Sequence, residues 1–398
     1  MFARLLVLIL IFGLTACEEE TDTGPTFDRV KVKENFAMTD NDMGRDIIDN
    51  YYPFWRIQAD SDRVCGLFAR NAIKGSGFFS CWGKDIKGGD YLKDNVSGTE
   101  RMVSVGDEHA CVRFTNLGGL HPGNKIGCDG NNEFGQAQEP VTWAEPQAKG
   151  LWTVNPVMVV SGANHNCLLD DYGVFCWGDN RANQLDAPTL VNPTFVAAGG
   201  DTSCAVTLAG VVKCWGANDK GQTDIPTALT ADARNPVAAA TQVTVGHDFA
   251  CAINHGEVLC WGNGDEGQLT VPALNNPRYI TAGYDHACAL DDDGIQCWGS
   301  NTEGQSLVPA DLEPASLTDG ELVSVTAGHH FTCATDTYKG YDFPLAEENF
   351  ASAQATFTYN AVRCWGENRS DVLEVPAMIC DNYHSSDVDP ANRTCPSL

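Results

Sequence analysis

Residues 288–305 read CALDDDGIQCWGSNTEGQ, two cysteines set nine apart around a turn. Asp291-Asp292-Asp293-Gly294 is turn chemistry: short polar side chains, then a residue free to adopt positive φ. Leu290 and Ile295 flank it, so the stretch predicts a hairpin of two short strands. Folding the chain midway between Asp292 and Asp293 sets Cys288 opposite Cys297. Opposed residues on antiparallel strands lie roughly 4.5–5.5 Å apart at Cα, within reach of a disulfide. The pair is a candidate rung across a hairpin.

The pattern occurs seven times. The second cysteines are Cys81, Cys128, Cys176, Cys214, Cys260, Cys297 and Cys364, at spacings of 37 to 67 residues. Their upstream partners are Cys65, Cys111, Cys167, Cys204, Cys251, Cys288 and Cys333. Tryptophan follows the second cysteine in six copies (Trp82, Trp177, Trp215, Trp261, Trp298, Trp365), with Asp129 in the other, and glycine comes next in all seven. The positions four and seven past the cysteine hold only Gly, Asn or Asp, the residues that tolerate left-handed backbone. Glycine stands five before the first cysteine in six copies, and proline twelve after the second in six.

Periods near 40–50 built from short β-runs, without helical periodicity, point to a propeller. Four β-candidates lie between the sixth and seventh rungs: Leu307–Pro309, Leu322–Thr326, Phe331–Ala334 and Val362–Trp365. The expected fold is all-β, a seven-bladed β-propeller of four-stranded blades with hairpin disulfides inside each blade. The chain ends are expected to share one blade, with residues 54–58 and Val372–Val375 among its strands.

Residues 281–305 (TAGYDHACALDDDGIQCWGSNTEGQ), 244–269 and 197–222 resemble the repeat of the regulator of chromosome condensation family. That pattern runs Ala-Gly, two residues, His, a small residue, an apolar pair, Asp-Gly, Trp-Gly, Asn and Gly-Gln. The resemblance spans about residues 51–378 and implies the propeller fold. It does not select a function, because loops decide partners on such a scaffold. Copies one, two and seven depart most, with Asp129 in copy two, Asp371-Val372 in copy seven, and insertions between their cysteines.

The beginning, MFARLLVLILIFGLTAC, carries Arg4, an apolar run too short to span a bilayer comfortably, and Leu14-Thr15-Ala16-Cys17. It resembles a bacterial lipobox. The expected organisation is a lipoprotein signal peptide at 1–16, lipidation of Cys17, an acidic tether and lead-in at 17–50, the propeller at 51–378, and a C-terminal tail at 379–398. The expected address is the bacterial cell envelope, with the membrane reached through the N-terminal lipid alone. Setting Cys17 aside leaves an even number of cysteines, seven hairpin pairs plus Cys380 and Cys395 to staple the tail.

A net charge of −28 lacks the basic footprint that phosphate neutralisation needs, so no nucleic-acid partner is expected. Nucleotide exchange on a cytosolic GTPase does not suit an exported chain. No metal is expected: no cysteine pair has zinc spacing, and TDNDMGRDIID (39–49) breaks the EF-hand pattern. No cofactor fingerprint is present. His109, His165 and His286 recur two before the first cysteine and read as interior hydrogen-bonding residues. His247, His329 and His330 follow the glycine before the hairpin, where they would face a channel mouth. No nucleophile is committed.

In copy seven the cysteines bracket ATDTYKGYDFPLAEENFASAQATFTYNAVR (334–363). Protruding loops on rigid scaffolds carry recognition disproportionately. Tyr338, Tyr341, Phe343, Phe350, Phe357 and Tyr359 are therefore the candidate partner-binding residues, with an envelope protein or glycan as the expected partner. Copies one and two carry shorter insertions at the same hairpin position, so the three are expected to share one face. Open alternatives are a hydrolase or lyase with its site at the channel, and a propeller resembling a β-lactamase inhibitor.

Overall fold

The computed structural model describes residues 57–71, 76–84, 99–116, 123–138, 156–170, 173–230, 239–312, 320–339 and 358–375. They form seven antiparallel sheets of three strands each. The first two sheets are β1 (Ile57–Asp60), β2 (Arg63–Asn71) and β3 (Ser76–Gly83), then β4 (Thr99–Val105), β5 (His109–Asn116) and β6 (Gly123–Gly130). The third and fourth are β7 (Pro156–Ser161), β8 (His165–Asp170) and β9 (Gly173–Gly178), then β10 (Pro193–Gly199), β11 (Thr202–Thr207) and β12 (Val212–Gly216). The fifth and sixth are β13 (Ala240–Val245), β14 (Phe249–Asn254) and β15 (Glu257–Gly262), then β16 (Tyr279–Ala282), β17 (His286–Asp291) and β18 (Gly294–Gly299). The seventh holds β19 (Gly320–Ala327), β20 (Phe331–Lys339) and β21 (Thr358–Gly366).

The opening stretch forms its hairpin as the turn chemistry dictates. Asp291 pairs with Gly294 and Cys288 with Cys297, and the Asp291 carboxylate accepts the Asp293 N–H at 2.8 Å. Each of the other sheets sets its two cysteines opposite each other in the same way. Seven disulfides result: Cys65–Cys81, Cys111–Cys128, Cys167–Cys176, Cys204–Cys214, Cys251–Cys260, Cys288–Cys297 and Cys333–Cys364. Cys204 and Cys214 bracket one residue more than the nine-residue pairs do. The turn absorbs it through Gly210, at φ 72°, and a Gly210 N–H bond to the Thr207 carbonyl. Cys17, Cys380 and Cys395 lie outside the described residues.

Two expectations about strands need correction. The segment Leu307–Pro309 is not a strand. Leu307 faces solvent, while Val308 packs against the cluster of Tyr279, Leu290, Val325 and Trp365, between the sixth and seventh sheets. Pro309 has no N–H to give a ladder, so the segment serves as a packed connector. Val372–Val375 is not a strand either. Val372 is instead fully buried among Ile57, Val64 and Trp82 of the first sheet.

The columns of Gly, Asn and Asp divide into two physical roles. Seven past the cysteine, Gly135, Asn183, Gly221, Gly267, Gly304 and Asp371 all have φ between 58° and 87°. Four past it, the asparagines act through their side chains. Asn132, Asn180, Asn218, Asn301 and Asn368 accept the backbone N–H five residues on, at 2.9–3.0 Å. The two columns together fold the connector that leaves the second, third, fourth, sixth and seventh sheets.

That connector delivers a carbonyl to the following sheet. The indoles of Trp177, Trp215, Trp261, Trp298 and Trp365 donate to the carbonyls of Gln136, Gln184, Gln222, Gln268 and Gln305, at 2.8–3.1 Å. Each glutamine side chain accepts the N–H two residues before it, holding its own carbonyl in place. The first strands β1, β4, β7, β10, β13, β16 and β19 adjoin one another in that order, and β19 adjoins β1. Between the seventh and first sheets the Trp82 indole donates to the Val372 carbonyl at 2.9 Å. Ala59 N–H also reaches Thr326 Oγ1 at 2.9 Å, and His329 N–H the Ser61 carbonyl at 3.0 Å.

Removing one of these indole donors strands a buried carbonyl, at a cost of roughly 1–3 kcal/mol. Trp82→Phe and Trp261→Phe should each lower the urea midpoint by a similar amount. A Trp82→Phe protein as stable as the parent would mean that the first and seventh sheets do not depend on this bond.

Candidate functional site

The histidines two before the first cysteine are interior ties between neighbouring sheets. His109 Nε2 meets Asn166 Oδ1 at 2.8 Å, His165 Nε2 meets Ser203 Oγ at 2.8 Å, and His286 Nε2 meets Thr332 Oγ1 at 2.9 Å. All three rings are fully buried. Their partners reach the same glutamine carbonyls that the indoles use: Asn166 Nδ2 to Gln136 at 2.8 Å and Thr332 Oγ1 to Gln305 at 2.8 Å. Because Asn166 Oδ1 and the committed Thr332 hydroxyl can only accept here, the imidazoles donate from Nε2. The glycine three before each histidine is a steric requirement. A Cβ on Gly162 would meet the His165 ring and the Gly200 carbonyl of the next sheet.

A signal for these ties was present in the sequence but shows only when adjacent copies are compared. Where one copy has histidine, the next has Asn166, Ser203 or Thr332 just before its cysteine. Where one copy has Arg63, Thr202, Phe249 or Phe331, the next has Ala110, Ala250, Ala287 or Val64.

Each sheet has two ends that differ in kind. At one, a short turn such as Gly283-Tyr284-Asp285 joins the first strand to the second; at the other lies the disulfide-bridged hairpin's own turn. The first end opens onto a central cavity of about 190 Å³ lined by residues from all seven sheets. The residue four before the first cysteine of each copy stands there: Ser61, Asp107, Ala163, Gly200, His247, Tyr284 and His329. Small residues occupy one side and rings the other. Tyr284 lies 4.1 Å from His247 and 4.1 Å from His329 between ring centroids, and His329 stacks on His330 at 4.3 Å. The placement of His247 and His329 agrees with the sequence expectation, whereas His330 stacks behind His329 and does not line the cavity.

Carboxylates surround these rings. His247 Nδ1 lies 3.1 Å from Asp248, and His330 Nδ1 lies 3.9 Å from Asp285. Burial, reinforced by the charge of Asp107, pushes the Asp60 carboxyl up to about 8. Burial also raises Asp107, Asp201 and Asp285 above the ordinary carboxylate range. His329 is pushed down to about 4, by burial first and His330 second. Among the described residues, no group of three or more His, Cys, Asp or Glu is placed to hold a metal ion.

The opposite end carries the long hairpins. β2 and β3 have 9 and 8 residues, β5 and β6 have 8 each, and β20 and β21 have 9 each. The regular pair β17 and β18 has 6 each. These long pairs belong to consecutive sheets and extend beyond their disulfides toward the same end. Tyr338 and Tyr359 are register partners across β20 and β21. Tyr341, Phe343, Phe350 and Phe357 lie outside the described residues. Among those described, no helix is long and apolar enough to cross a membrane.

Residues 194–222 and 278–305 match the family model described as the regulator of chromosome condensation (RCC1) repeat. No curated protein matches the chain. The ectodomain of the receptor kinase CR4 from Physcomitrella patens is similar at 21% identity and TM-score 0.50, covering 78% of this chain and 71% of that one. The CRINKLY WD40 ectodomain of the Arabidopsis thaliana receptor kinase ACR4 is similar at 21% identity and TM-score 0.49, with 78% and 95% covered. Prp20p from Saccharomyces cerevisiae, whose structure is described with its binding to Gsp1p and histones, is similar at 17% identity and TM-score 0.49, with 75% and 84% covered. At 21% identity the likeness to the CR4 ectodomain concerns the fold alone.

The buried histidines make stability depend on acid. Burial holds His109 down to about 4, and His165 and His286 to about 3, whereas an unfolded chain protonates them near 6.5. Below that value the unfolded state binds more protons, so stability falls as pH drops from 6.5 and levels off near the folded values. His165→Phe with Ser203→Ala, which copies the Phe249–Ala287 pairing, should make the loss between pH 7 and 4.5 smaller by about 2–3 kcal/mol. Urea midpoints across that range would show it; an unchanged acid limb would mean that His165 is protonated in the fold.

Proposed function

We propose that this chain, which carries regulator of chromosome condensation repeats, is an exported, lipid-anchored binding module. Its seven sheets are the blades of a closed propeller. It is held to an envelope membrane through Cys17 after removal of residues 1–16. Residues 17–50 act as the tether, 51–378 as the propeller, and 379–398 as a tail stapled by Cys380 and Cys395. It captures an envelope protein or glycan on the face reached by its long hairpins.

The observation that carries this reading is the grouping of the three extended hairpins on consecutive sheets, all pointing to one end. The disulfides in every sheet support an oxidising compartment outside the cytosol. The charge of −28 supports a partner other than nucleic acid. The aromatic insertion of copy seven supplies the side chains that dominate interface energetics.

Replacing residues 340–357 with Asn-Gly should leave β20 and β21 paired and the denaturation midpoint unchanged. Cross-linking in solubilised envelopes should then lose the partner that the full chain captures; capture at parental yield would place the site elsewhere. Separately, Cys17→Ser should abolish the lipid mass on the mature N-terminal peptide and release the protein from membranes. A membrane-bound Cys17→Ser protein would contradict the anchor.

A further inference from the structure

We propose that the cavity mouth framed by His247, Tyr284, His329 and Asp107 is a binding site for an organic cation, a guanidinium or alkylammonium group. This mouth lies at the opposite end of the sheets from the long hairpins, so the proposal stands independently of the partner-binding face.

The wall comes first. Tyr284 is 40% exposed, one of the few large rings so open among the described residues. Its ring lies 4.1 Å from His247, tilted by 32°, and 4.1 Å from His329, edge-on at 70°. A backbone chain fixes these positions: His247 N–H donates to the Tyr284 carbonyl, Tyr284 N–H to Gly328, and His329 N–H to Ser61. The face of a tyrosine attracts a cation through the negative side of its ring quadrupole, and a planar guanidinium can also stack on it. His329, kept neutral by burial, adds no competing charge at physiological pH.

The charges come second. Asp248 and Asp285 sit beside His247 and His330, and Asp107 stands across the opening. Burial keeps Asp107 and Asp285 less ready to ionise than free carboxyls. A guest cation would favour their charged forms. Lys84, whose charge reaches Asp107, is directed at Glu108, 3.6 Å away.

Size and access come third. Ala163 and Gly200 leave the side opposite the rings open. A cavity of about 190 Å³ is smaller than the roughly 300–1,000 Å³ of sites for drug-sized ligands. It suits a guest the size of one side chain, carrying charge at its tip and a short apolar stem.

The test uses the full mature chain, with agmatine and cadaverine as free cations and N-acetyl-Gly-Arg-Gly-amide as a presented side chain. Glutarate and n-butanol are the anionic and neutral controls. Calorimetry at low salt, with the imidazole Cε1–H signals followed by NMR, should show saturable binding of the cations alone, shifting His247 and His329. Affinity should fall roughly tenfold with Tyr284→Ala and with Asp107→Asn, hold with Tyr284→Phe, and be unchanged by replacement of residues 340–357. Tighter binding of the peptide than of agmatine would identify a protein side chain as the guest, and the reverse a small free amine. No saturation by any cation up to about 10 mM, equal binding of the controls, or full affinity in a folded Tyr284→Ala protein would overturn the proposal.

Discussion

The structure depends on a bond between an indole N–H and a carbonyl of the connector before it. Each sheet of three short strands buries too little alone, and its neighbours supply the rest of its core. The tryptophan after the second cysteine does both jobs at once, filling the gap between sheets and holding the incoming connector by one hydrogen bond. At three junctions the same carbonyl also accepts from Asn166, Ser203 or Thr332, so both of its lone pairs are used. At the junction of the last and first sheets the connector residue is Val372, where five other junctions have glutamine. It delivers its carbonyl after Ser370 and Asp371, both at positive φ, and adds a fully buried apolar side chain where glutamine would add an amide.

Much of this was legible in the sequence because backbone constraints leave local marks. The Asp291–Gly294 turn fixed which residues oppose each other, so the Cys288–Cys297 rung followed from symmetry about its midpoint. The column seven past the cysteine admitted only residues that accept left-handed backbone. The column four past it looked the same, but asparagine was there for its side-chain oxygen, and composition does not separate those uses. Leu307–Pro309 reads as a strand by its apolar residues. What decides against a ladder is the packing of Val308 between two sheets, a tertiary fact. His109, His165 and His286 read as interior hydrogen-bonding residues and are so, but their partners were missed because that information sits in pairs of successive copies.

The two ends of the sheets divide the chain's options. The hairpin end varies in length from sheet to sheet, which a disulfide just inside each turn permits without disturbing the interior. The opposite end is constrained by bonds running from one sheet's turn to the next, as from Ala163 N–H to Gly200 and from Tyr284 N–H to Gly328. Variation there is confined to which side chain stands at a fixed position, so this end is suited to chemistry and the other to shape. The mouth spends that freedom on rings and carboxylates: Tyr284 and His329 where Ala163 and Gly200 stand across from them.

The central claim is that one indole bond joins every described tryptophan's sheet to the sheet before it, the last-to-first junction included. Hydrogen–deuterium exchange of the indole N–H groups in ¹⁵N-tryptophan protein measures this directly. The account predicts that Trp82, Trp177, Trp215, Trp261, Trp298 and Trp365 exchange together, at the rate set by global unfolding. A Trp82 indole that exchanges far faster than the other five would show that the first and last sheets are not joined.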